Sequence, residues 1–393
     1  MHQGKYVFSQ IMESVVRFQF NQCVTRYRGE YRTKRLSCWE QFLALSFGQL
    51  SFRESLRDVV VCLCAQHHKL YHLGFHSPVM LPTLAKANEK RDWRIYRDYA
   101  QLLIAETRRL YVDDRSFSLD LDGAVYVIDS TTIELCLSMF PWARIMEEKA
   151  AVKLNVAIDL RGALPTFFHI SKGRTPDLEF LDLLEYERGA YYVMDRGYID
   201  FRRMYTIHQA GAFFVIRARV DMRFRRIYSR SVEKSTGVQC DQIIAFVIWK
   251  ARKDYPKKLR RIKFFDAETQ RRYVFLTNDL TSDATIIAQL YKYRWRVELF
   301  FKWIKQHLSI KAFWGRSANA VKTQICIAIC AYLLVAIMKK RLGIKRNSYE
   351  ILQILSVSLF DKTPLFALIS EFQLQNFSNA KDVTQKQAQL WDD

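Results

Sequence analysis

The sequence predicts an α/β protein: a mixed five-stranded sheet with flanking helices, interrupted by a β-rich insertion and preceded by an all-α domain. Apolar residues near the N-terminus recur at three- and four-residue spacing, which is typical of helices. From about residue 120, short apolar runs alternate with helical segments, and a later stretch holds short β-type runs between turns. The predicted segments are a helical domain (1–112), the first part of the sheet domain (120–220), the insertion (221–278), the second part of the sheet domain (279–345) and a helical tail (346–393).

The composition predicts a globular protein whose partner is a polyanion. Half of the residues are hydrophobic, and Lys and Arg number 61 against 40 acids, which gives a formal net charge of +21. Such an excess repels itself unless a polyanion offsets it, so nucleic acid is the leading partner. A basic membrane-surface protein is the rival interpretation. The eight cysteines are scattered, which favours reduced thiols in the cytosol.

Neither a secretory signal nor a membrane span is expected. The N-terminal residues lack the apolar segment of a signal peptide. The longest apolar run, residues 325–338, is too short to cross a bilayer and is interpreted as a buried helix.

A strongly basic helix is predicted in the helical domain. Pro82 is expected to open it, because proline fits the first turn of a helix. A compact helical domain with such a helix suits binding to DNA phosphates, and the alternative is a solvated charged face. The basic residues along it are Lys86, Lys90, Arg91, Arg94 and Arg97.

Cysteines and histidines cluster between residues 62 and 76. His68, His72 and His76 recur at four-residue spacing, which can bind zinc on a helix. No Cys-x2-Cys pair or second ligand cluster accompanies them. Packing and surface histidines are therefore the alternative interpretation.

Two predicted strands each end at an aspartate. Residues 124–128 lead to Asp129, and residues 189–194 lead to Asp195. The predicted order of strand, strand, strand, helix, strand, helix, strand matches the ribonuclease H-like (RNase H-like) fold, in which the first and fourth strands are parallel neighbours. Two carboxylates brought together at that edge repel each other unless a cation lies between them. The alternative is that each aspartate is an ordinary turn residue.

A helix with a chemical face is predicted for residues 291–307. At about 100° per residue, one arc of the helix carries Tyr291, Arg294, Glu298 and Lys305, with Trp295 and Lys302 beside them. The opposite arc is apolar and can face a core; its members are Val297, Phe300, Trp303 and Ile304. Glu298 is the candidate for a third acid beside the two aspartates. The alternative is a solvated helix with ion pairs such as Arg294 with Glu298.

The insertion interleaves basic residues with aromatics. We expect a separate strand-rich unit that touches a nucleic-acid backbone, with Trp249 as a candidate for stacking on a displaced base. The alternative is an exposed sheet with a small aromatic core.

These motifs together resemble a known group of enzymes. The spacing Tyr291-x2-Arg294-x3-Glu298-x6-Lys305 resembles the Tyr-Arg-Glu-Lys signature of bacterial insertion-sequence DDE transposases. Asp129 in VIDST and Asp195 in VMDRGY resemble that group's first two acidic motifs, and the helical domain and insertion resemble its layout. One departure is Pro176 before Asp177, where relatives tend to have a His-Asp pair.

The resemblance implies cut-and-paste DNA transposition with metal-dependent cleavage and strand transfer. Asp129, Asp195 and Glu298 would hold two Mg²⁺ ions, for which Mn²⁺ can substitute. A homodimer in the bacterial cytoplasm, associated with the nucleoid, would bind double-stranded DNA at the terminal inverted repeats and at the target. Some relatives form a hairpin on the transposon end. The residues implied to bind DNA phosphates are Tyr291, Arg294, Lys305, Lys302 and Arg196.

Two other functions fit the same residues. One is an RNase H-like metal-dependent nuclease that never joins strands. The other is a catalytically inactive or domesticated DNA-binding protein.

Overall fold

The chain combines an N-terminal helical bundle, a large mixed sheet and a long central helix. The computed structural model describes residues 4–112, 121, 123–146, 149–220, 222–307 and 313–370. The helices in these ranges are α1 Val7–Met12, α2 Arg17–Arg26, α3 Cys38–Leu50, α4 Leu56–Ala65, α5 Leu81–Lys90, α6 Arg94–Tyr111, α7 Phe201–Gln209, α8 Trp249–Asp254, α9 Ala284–Lys292, α10 Trp295–His307, α11 Ala318–Arg341, α12 Ser348–Ser358 and α13 Leu365–Ile369.

The strands form one sheet, and its central part has the predicted order. The strands are β1 Val125–Leu135, β2 Arg144–Met146, β3 Lys149–Asp159, β4 Leu164–Lys172, β5 Tyr191–Met194, β6 Phe213–Arg217, β7 Phe224–Arg230, β8 Val238–Phe246, β9 Leu259–Asp266 and β10 Arg271–Thr277. β3 lies antiparallel between β4 and β1, and β5 and β6 follow β1 in parallel. The predicted RNase H-like core, with its first and fourth strands side by side, is therefore confirmed.

The insertion continues the core sheet and is not a separate unit as expected. β10 pairs antiparallel with β6, and β9, β8 and β7 extend the sheet beyond it. Without β10, β6 would present a row of unpaired backbone groups at the sheet edge, and pairing satisfies them. The insertion is thereby fixed in orientation relative to β5 and β6.

The apolar helix α11 joins the helical bundle to the sheet domain. By length and composition α11 could cross a membrane, yet 89% of its most apolar window is buried inside the protein. It packs mainly against α6 and α3, and its side chains belong to the same core as those of the bundle and the sheet. The interpretation of residues 325–338 as a buried helix is confirmed.

The prediction of one long basic helix from Pro82 onward is wrong, because the segment divides into α5 and α6. Pro82 lies in the first turn of α5 as expected. The chain turns at residues 91–93, where the Asn319 amide donates to the carbonyl oxygens of Asn88 and Arg91 and accepts from the Trp93 N–H. These contacts satisfy backbone groups that a continuous helix would have used.

The helix predicted after β4 is a short 3-10 helix, Asp177–Leu183. Pro176 precedes it as the N-cap residue, and the Asp177 carboxylate lies 3.0 Å from the Lys153 ammonium of β3. Asp177, which follows the proline that departs from the group's His-Asp pattern, thus joins this turn to the sheet.

Candidate active site

Asp129 and Asp195 occupy equivalent positions on adjacent parallel strands. Ile128 of β1 is paired with Met194 of β5, and the two aspartates are the next residue on each strand. Parallel neighbours are about 4.8 Å apart, and residues in register lie on the same face of a sheet. The backbone therefore places the two carboxylates side by side.

Asp129 is not at the end of its strand, contrary to the expectation. β1 continues to Leu135, because β3 remains paired with it after β5 has ended. Asp195 does end its strand and caps the 3-10 turn Arg196–Tyr198, with its Oδ1 accepting from the Gly197 N–H at 3.4 Å. Arg196 is exposed in that turn.

Glu298 is linked to Asp129 through one guanidinium. Arg294 donates from Nη1 to Asp129 Oδ2 at 3.1 Å and from Nη2 to Glu298 Oε1 at 2.5 Å. The Arg294 side chain is 19% exposed and the Glu298 side chain is 58% exposed. Both interpretations of the helix are thus present together, since the ion pair exists and the same guanidinium also connects Glu298 to Asp129.

The prediction of one continuous helix over residues 291–307 is wrong, because a break at Tyr293 and Arg294 separates α9 from α10. At the junction the Arg294 N–H donates to the Tyr291 carbonyl and the Val297 N–H to the Arg294 carbonyl, a tighter i to i+3 pattern. The break lets α9 contact β5, β6, β8 and β9 while α10 contacts β1. The single-helix geometry that places Tyr291 on the same arc as Glu298 and Lys305 therefore does not apply across this break.

Tyr291 consequently packs into the protein and not onto an open face. It is 9% exposed, its ring lies 4.8 Å from that of Phe275, and the Arg294 guanidinium lies 5.9 Å from the Tyr291 ring centre. Burial raises the pKa of Tyr291 above its ordinary value. The Tyr291 ring thus supports the position of Arg294.

The rest of α10 confirms its predicted apolar arc where side chains are described. Val297 and Ile304 are fully buried, and Phe300 is nearly so; the Trp303 side chain lies outside the described part. Lys305 donates from Nζ to the Thr132 carbonyl of β1 at 3.0 Å. Lys302 is exposed on the same helix. Lys305 therefore borders β1, whereas Lys302 lines a pocket shared with Tyr332 and Ser348.

The acids are electrostatically coupled. The pKa of Asp129 is raised to about 6, chiefly by burial and also by the charges of Asp195 and Glu298, while the Ser130 N–H and the Arg294 guanidinium act to lower it. Like charges this close need a cation among them. Arg294 is such a cation, and within the described ranges no group of three or more His, Cys, Asp or Glu side chains is already spaced to hold a metal ion.

Trp249 projects from the insertion next to a small pocket that the sequence did not reveal. The Trp249 side chain is 74% exposed and the Lys253 ammonium lies 5.3 Å from its ring centre. The neighbouring pocket has a volume of about 330 Å³, and part of its lining begins at Ile199, directly after the turn that Asp195 caps. The lining combines apolar, basic and acidic side chains. Its lining includes Phe201, Phe246, Met222, Arg219 and Lys250.

The cysteine and histidine cluster does not lie on one α-helix. α4 ends at Ala65, residues His67–Leu73 form a 3-10 helix, and Gly74 closes it in the left-handed region at φ 92°. His76 lies beyond that turn, and its Nδ1 is 3.5 Å from Glu40. The helical spacing on which the zinc hypothesis rested is therefore absent.

Comparisons with known proteins agree with the resemblance to DDE transposases. A family described as the transposase DDE domain matches residues 120–334, and a domain of unknown function matches residues 3–76. A protein named as a transposase from Sinorhizobium fredii is 30% identical over 297 residues, which span 74% of this chain and 80% of that protein. The transposase named for insertion sequence element IS5377 from Geobacillus stearothermophilus is 28% identical, over 64% of this chain and 66% of that protein.

Among solved structures, the cryo-EM structure of the piggyBac transposase synaptic complex with hairpin DNA matches at a TM-score of 0.44 and 11% identity, over 95% of this chain and 83% of that one. The match to the DDE domain covers more than half of the chain and includes Asp129, Asp195 and Glu298. This chain belongs to the family of DDE-domain transposases and is an enzyme that acts on DNA.

Proposed function

We propose that this transposase moves an insertion sequence by a cut-and-paste route, with metal-dependent cleavage and strand transfer at terminal inverted repeats. The observation that carries the proposal is the side-by-side register of Asp129 and Asp195, with Glu298 tied to Asp129 through Arg294. Membership of the Tyr-Arg-Glu-Lys group is part of the proposal, because Arg294 contacts Asp129 and Glu298, Lys305 contacts β1, and the Tyr291 ring lies against Arg294.

Mg²⁺ fits the donor set of this site. Asp129, Asp195 and Glu298 are hard oxygen donors of the kind that Mg²⁺ prefers, and the space between two of them already attracts a cationic group, the Arg294 guanidinium. These three carboxylates are the proposed ligands of two Mg²⁺ ions. When bound, Mg²⁺ would activate the attacking oxygen and stabilise the leaving oxygen of an in-line displacement.

Arg294 is proposed to exchange partners during the reaction. Its guanidinium neutralises Asp129 and Glu298 in the free protein. If those carboxylates held a metal ion, the guanidinium would be free to bind a DNA phosphate through two parallel hydrogen bonds. The ammonium groups of Lys305 and Lys302 on the same helix, and the exposed Arg196, extend the phosphate-binding surface.

The other parts of the chain are proposed to hold DNA around this centre. Residues 1–112 and the insertion, 221–278, would bind the transposon end, and the core segments 120–220 and 279–345 would carry the chemistry. Two ends must be cut in concert, so a homodimer on DNA is expected, acting in the bacterial cytoplasm at the nucleoid. The tail, 346–393, begins with α12 and α13, and its residues 371–393 lie outside the described part.

The test is an assay of DNA cleavage and joining. The substrate is a plasmid carrying the inverted repeats that flank the coding region, incubated with the protein and Mg²⁺. We expect cleavage at both repeats and joining of the freed 3′ ends to a target plasmid. Cleavage that is never followed by joining would support the nuclease, and end-specific binding without cleavage would support the inactive DNA-binding protein.

Replacing Arg294 by Gln is expected to separate metal binding from cleavage. Without the guanidinium, Asp129 and Glu298 lose a competing cation, so divalent-ion affinity in the absence of DNA should rise several-fold. Cleavage should fall about tenfold or more, because a phosphate contact is lost. Calorimetric titration with Ca²⁺ measures the first effect and a Mg²⁺ cleavage assay the second. Arg346→Gln is the control, since Arg346 pairs with Glu350 at the same i,i+4 spacing; weaker Ca²⁺ binding by Arg294→Gln would contradict the account.

Replacing Trp249 by Ala is expected to impair distortion of the DNA end without lowering stability. The side chain is exposed, so little packing is lost, whereas stacking of an aromatic ring on a base contributes about 1–3 kcal/mol. A 2-aminopurine base near the cleavage site reports unstacking by its fluorescence. Trp249→Phe retains a ring and should keep most of the signal. Equal signals from the wild type and Trp249→Ala would exclude the stacking role.

A further inference from the structure

A basic groove lies in the N-terminal helical domain, among residues that the candidate active site does not use. It is a cavity of about 770 Å³ between the segment that follows α2 and the outer side of α5. We call it the basic groove and define it by its exposed cationic lining. Those residues are Arg28, Arg32, Lys34, Arg35, Lys86 and Lys90.

The charges of the basic groove are not neutralised by neighbouring acids. The Glu30 carboxylate accepts the Cys38 backbone N–H at 2.6 Å, and Asp92, which lines the groove, pairs with Arg94 at 2.6 Å. Among the ion pairs between described residues, none involves a cation of the groove lining. Lys86 and Lys90 follow each other at i,i+4 on α5, where like charges repel. The groove therefore attracts an anion from outside the chain.

The two walls of the basic groove are held together by a side chain. Arg91, at the end of α5, donates to the carbonyl oxygens of Leu36 and Ser37 and to the Gln41 side chain. Asn319 of α11 holds the same corner through the Arg91 carbonyl. A groove held open in this way loses little conformational freedom when a ligand enters.

Of the basic residues predicted along this part of the chain, only some face the groove. Arg94 and Arg97 pair with Asp92 and Asp98, so their charges are largely satisfied within the protein. Lys86 and Lys90 have no such pairing and lie on the groove lining. The alternative of an ion-paired surface thus applies to α6, and the polyanion interpretation applies to α5.

We propose that the basic groove binds the sugar–phosphate backbone of duplex DNA next to the transposon end; this rests on the proposed function. The lining offers six exposed cations, which suits phosphate contacts that fix position and register. Tyr31, 68% exposed with the Arg32 guanidinium 5.0 Å from its ring, adds a flat surface that can pack on a sugar. The wall formed by Arg28, Arg32, Lys34 and Arg35 lies within the matched domain of unknown function, residues 3–76, and the groove thereby assigns DNA binding to that wall.

The experiment measures DNA binding without catalysis. A fluorescent duplex carrying the flanking inverted repeat is titrated with full-length protein in EDTA, at several salt concentrations. Lys86→Gln/Lys90→Gln should bind more weakly and reduce the slope of log affinity against log salt by about 1.8, because each lost phosphate contact removes about 0.9. The control, Lys69→Gln/Lys362→Gln, removes the same charge near the Tyr6 ring, outside the groove, and should keep the wild-type slope.

The outcomes are separable from those of the proposed function. Circular dichroism checks that both double variants stay folded, and a second groove variant, Lys34→Gln/Arg35→Gln, repeats the measurement on the opposite wall. An unchanged slope in both groove variants would overturn the groove proposal even if the wild type cleaves DNA normally. If the groove variants lost binding to anionic phosphatidylserine vesicles and kept wild-type DNA binding, the groove proposal would also be overturned, and the groove would be a membrane-binding surface. If the wild type fails to cleave DNA but the groove variants show the predicted change of slope, the groove proposal stands and the cut-and-paste route is excluded.

Discussion

Asp129→Asn is expected to lower the rate of DNA cleavage by about 10³-fold or more while DNA binding persists. The substitution keeps the size of the side chain and removes the charge that the proposed metal site requires. Metal ions at such sites supply several kcal/mol of transition-state stabilisation, and each 1.4 kcal/mol or so is a factor of ten in rate. Single-turnover cleavage of inverted-repeat DNA in Mg²⁺ measures the loss, and a gel-shift assay measures the binding.

Glu134→Gln is the matched control for that variant. Glu134 lies on the same strand, β1, and is exposed, so the substitution removes one negative charge without touching Asp129 or Asp195. Its cleavage rate should stay within about twofold of the wild type, since exposed substitutions away from a site have small effects. If Asp129→Asn cleaved as fast as Glu134→Gln, Asp129 would have no catalytic task.

Glu298→Gln is expected to cause the second large loss, about 10²-fold or more in cleavage rate. The amide preserves the length of the side chain and the helix, so the change isolates the charge. Because Glu298 is 58% exposed, the free energy of unfolding should change little. The readouts are single-turnover cleavage, thermal melting and binding to inverted-repeat DNA.

Glu350→Gln provides a close comparison for Glu298→Gln. Both glutamates lie in the first turn of a helix and pair with an arginine four residues earlier, Arg294 at 2.5 Å and Arg346 at 3.6 Å. Only Glu298 is connected to Asp129. Glu350→Gln should therefore cleave normally, and equal losses in the two variants would show that the effect comes from the helix and its ion pair and not from the acid.

The pairing of Asp129 with Asp195 could be predicted because local patterns determine it. Each aspartate follows a short apolar run, and the alternation of strands and helices fixes which runs become parallel neighbours. The apolar arc of α10 was predictable for the same reason, since Val297 and Ile304 follow helical spacing. Periodicity carries this information because it reflects which face of an element is buried.

The divisions between α5 and α6 and between α9 and α10 could not be predicted, because neither contains glycine or proline at the break. Contacts from elsewhere in the fold cause them. The Asn319 side chain satisfies the backbone at the first break, and the packing of α9 and α10 on different strands accompanies the second. For this reason Tyr291 was expected on an open face and is buried instead.

The basic groove and the pocket beside Trp249 depend on tertiary structure in the same way. The basic residues of both were visible in the sequence, but their pairing was not. Asp92 neutralises Arg94 and Asp98 neutralises Arg97, whereas Lys86 and Lys90 remain open. A charge count cannot distinguish these cases, because it does not show which acid lies within reach of which cation.

We expect Asp129, Asp195 and Glu298 to form one metal site in the DNA complex, although Arg294 lies between two of them in the free protein. The most direct measurement is anomalous diffraction from Mn²⁺ in crystals of the protein bound to inverted-repeat DNA. We expect anomalous density among the three carboxylates, with the Arg294 guanidinium moved from Asp129 onto a DNA phosphate. Crystals with DNA in place, no Mn²⁺ among these acids and Arg294 still bridging Asp129 and Glu298 would contradict it.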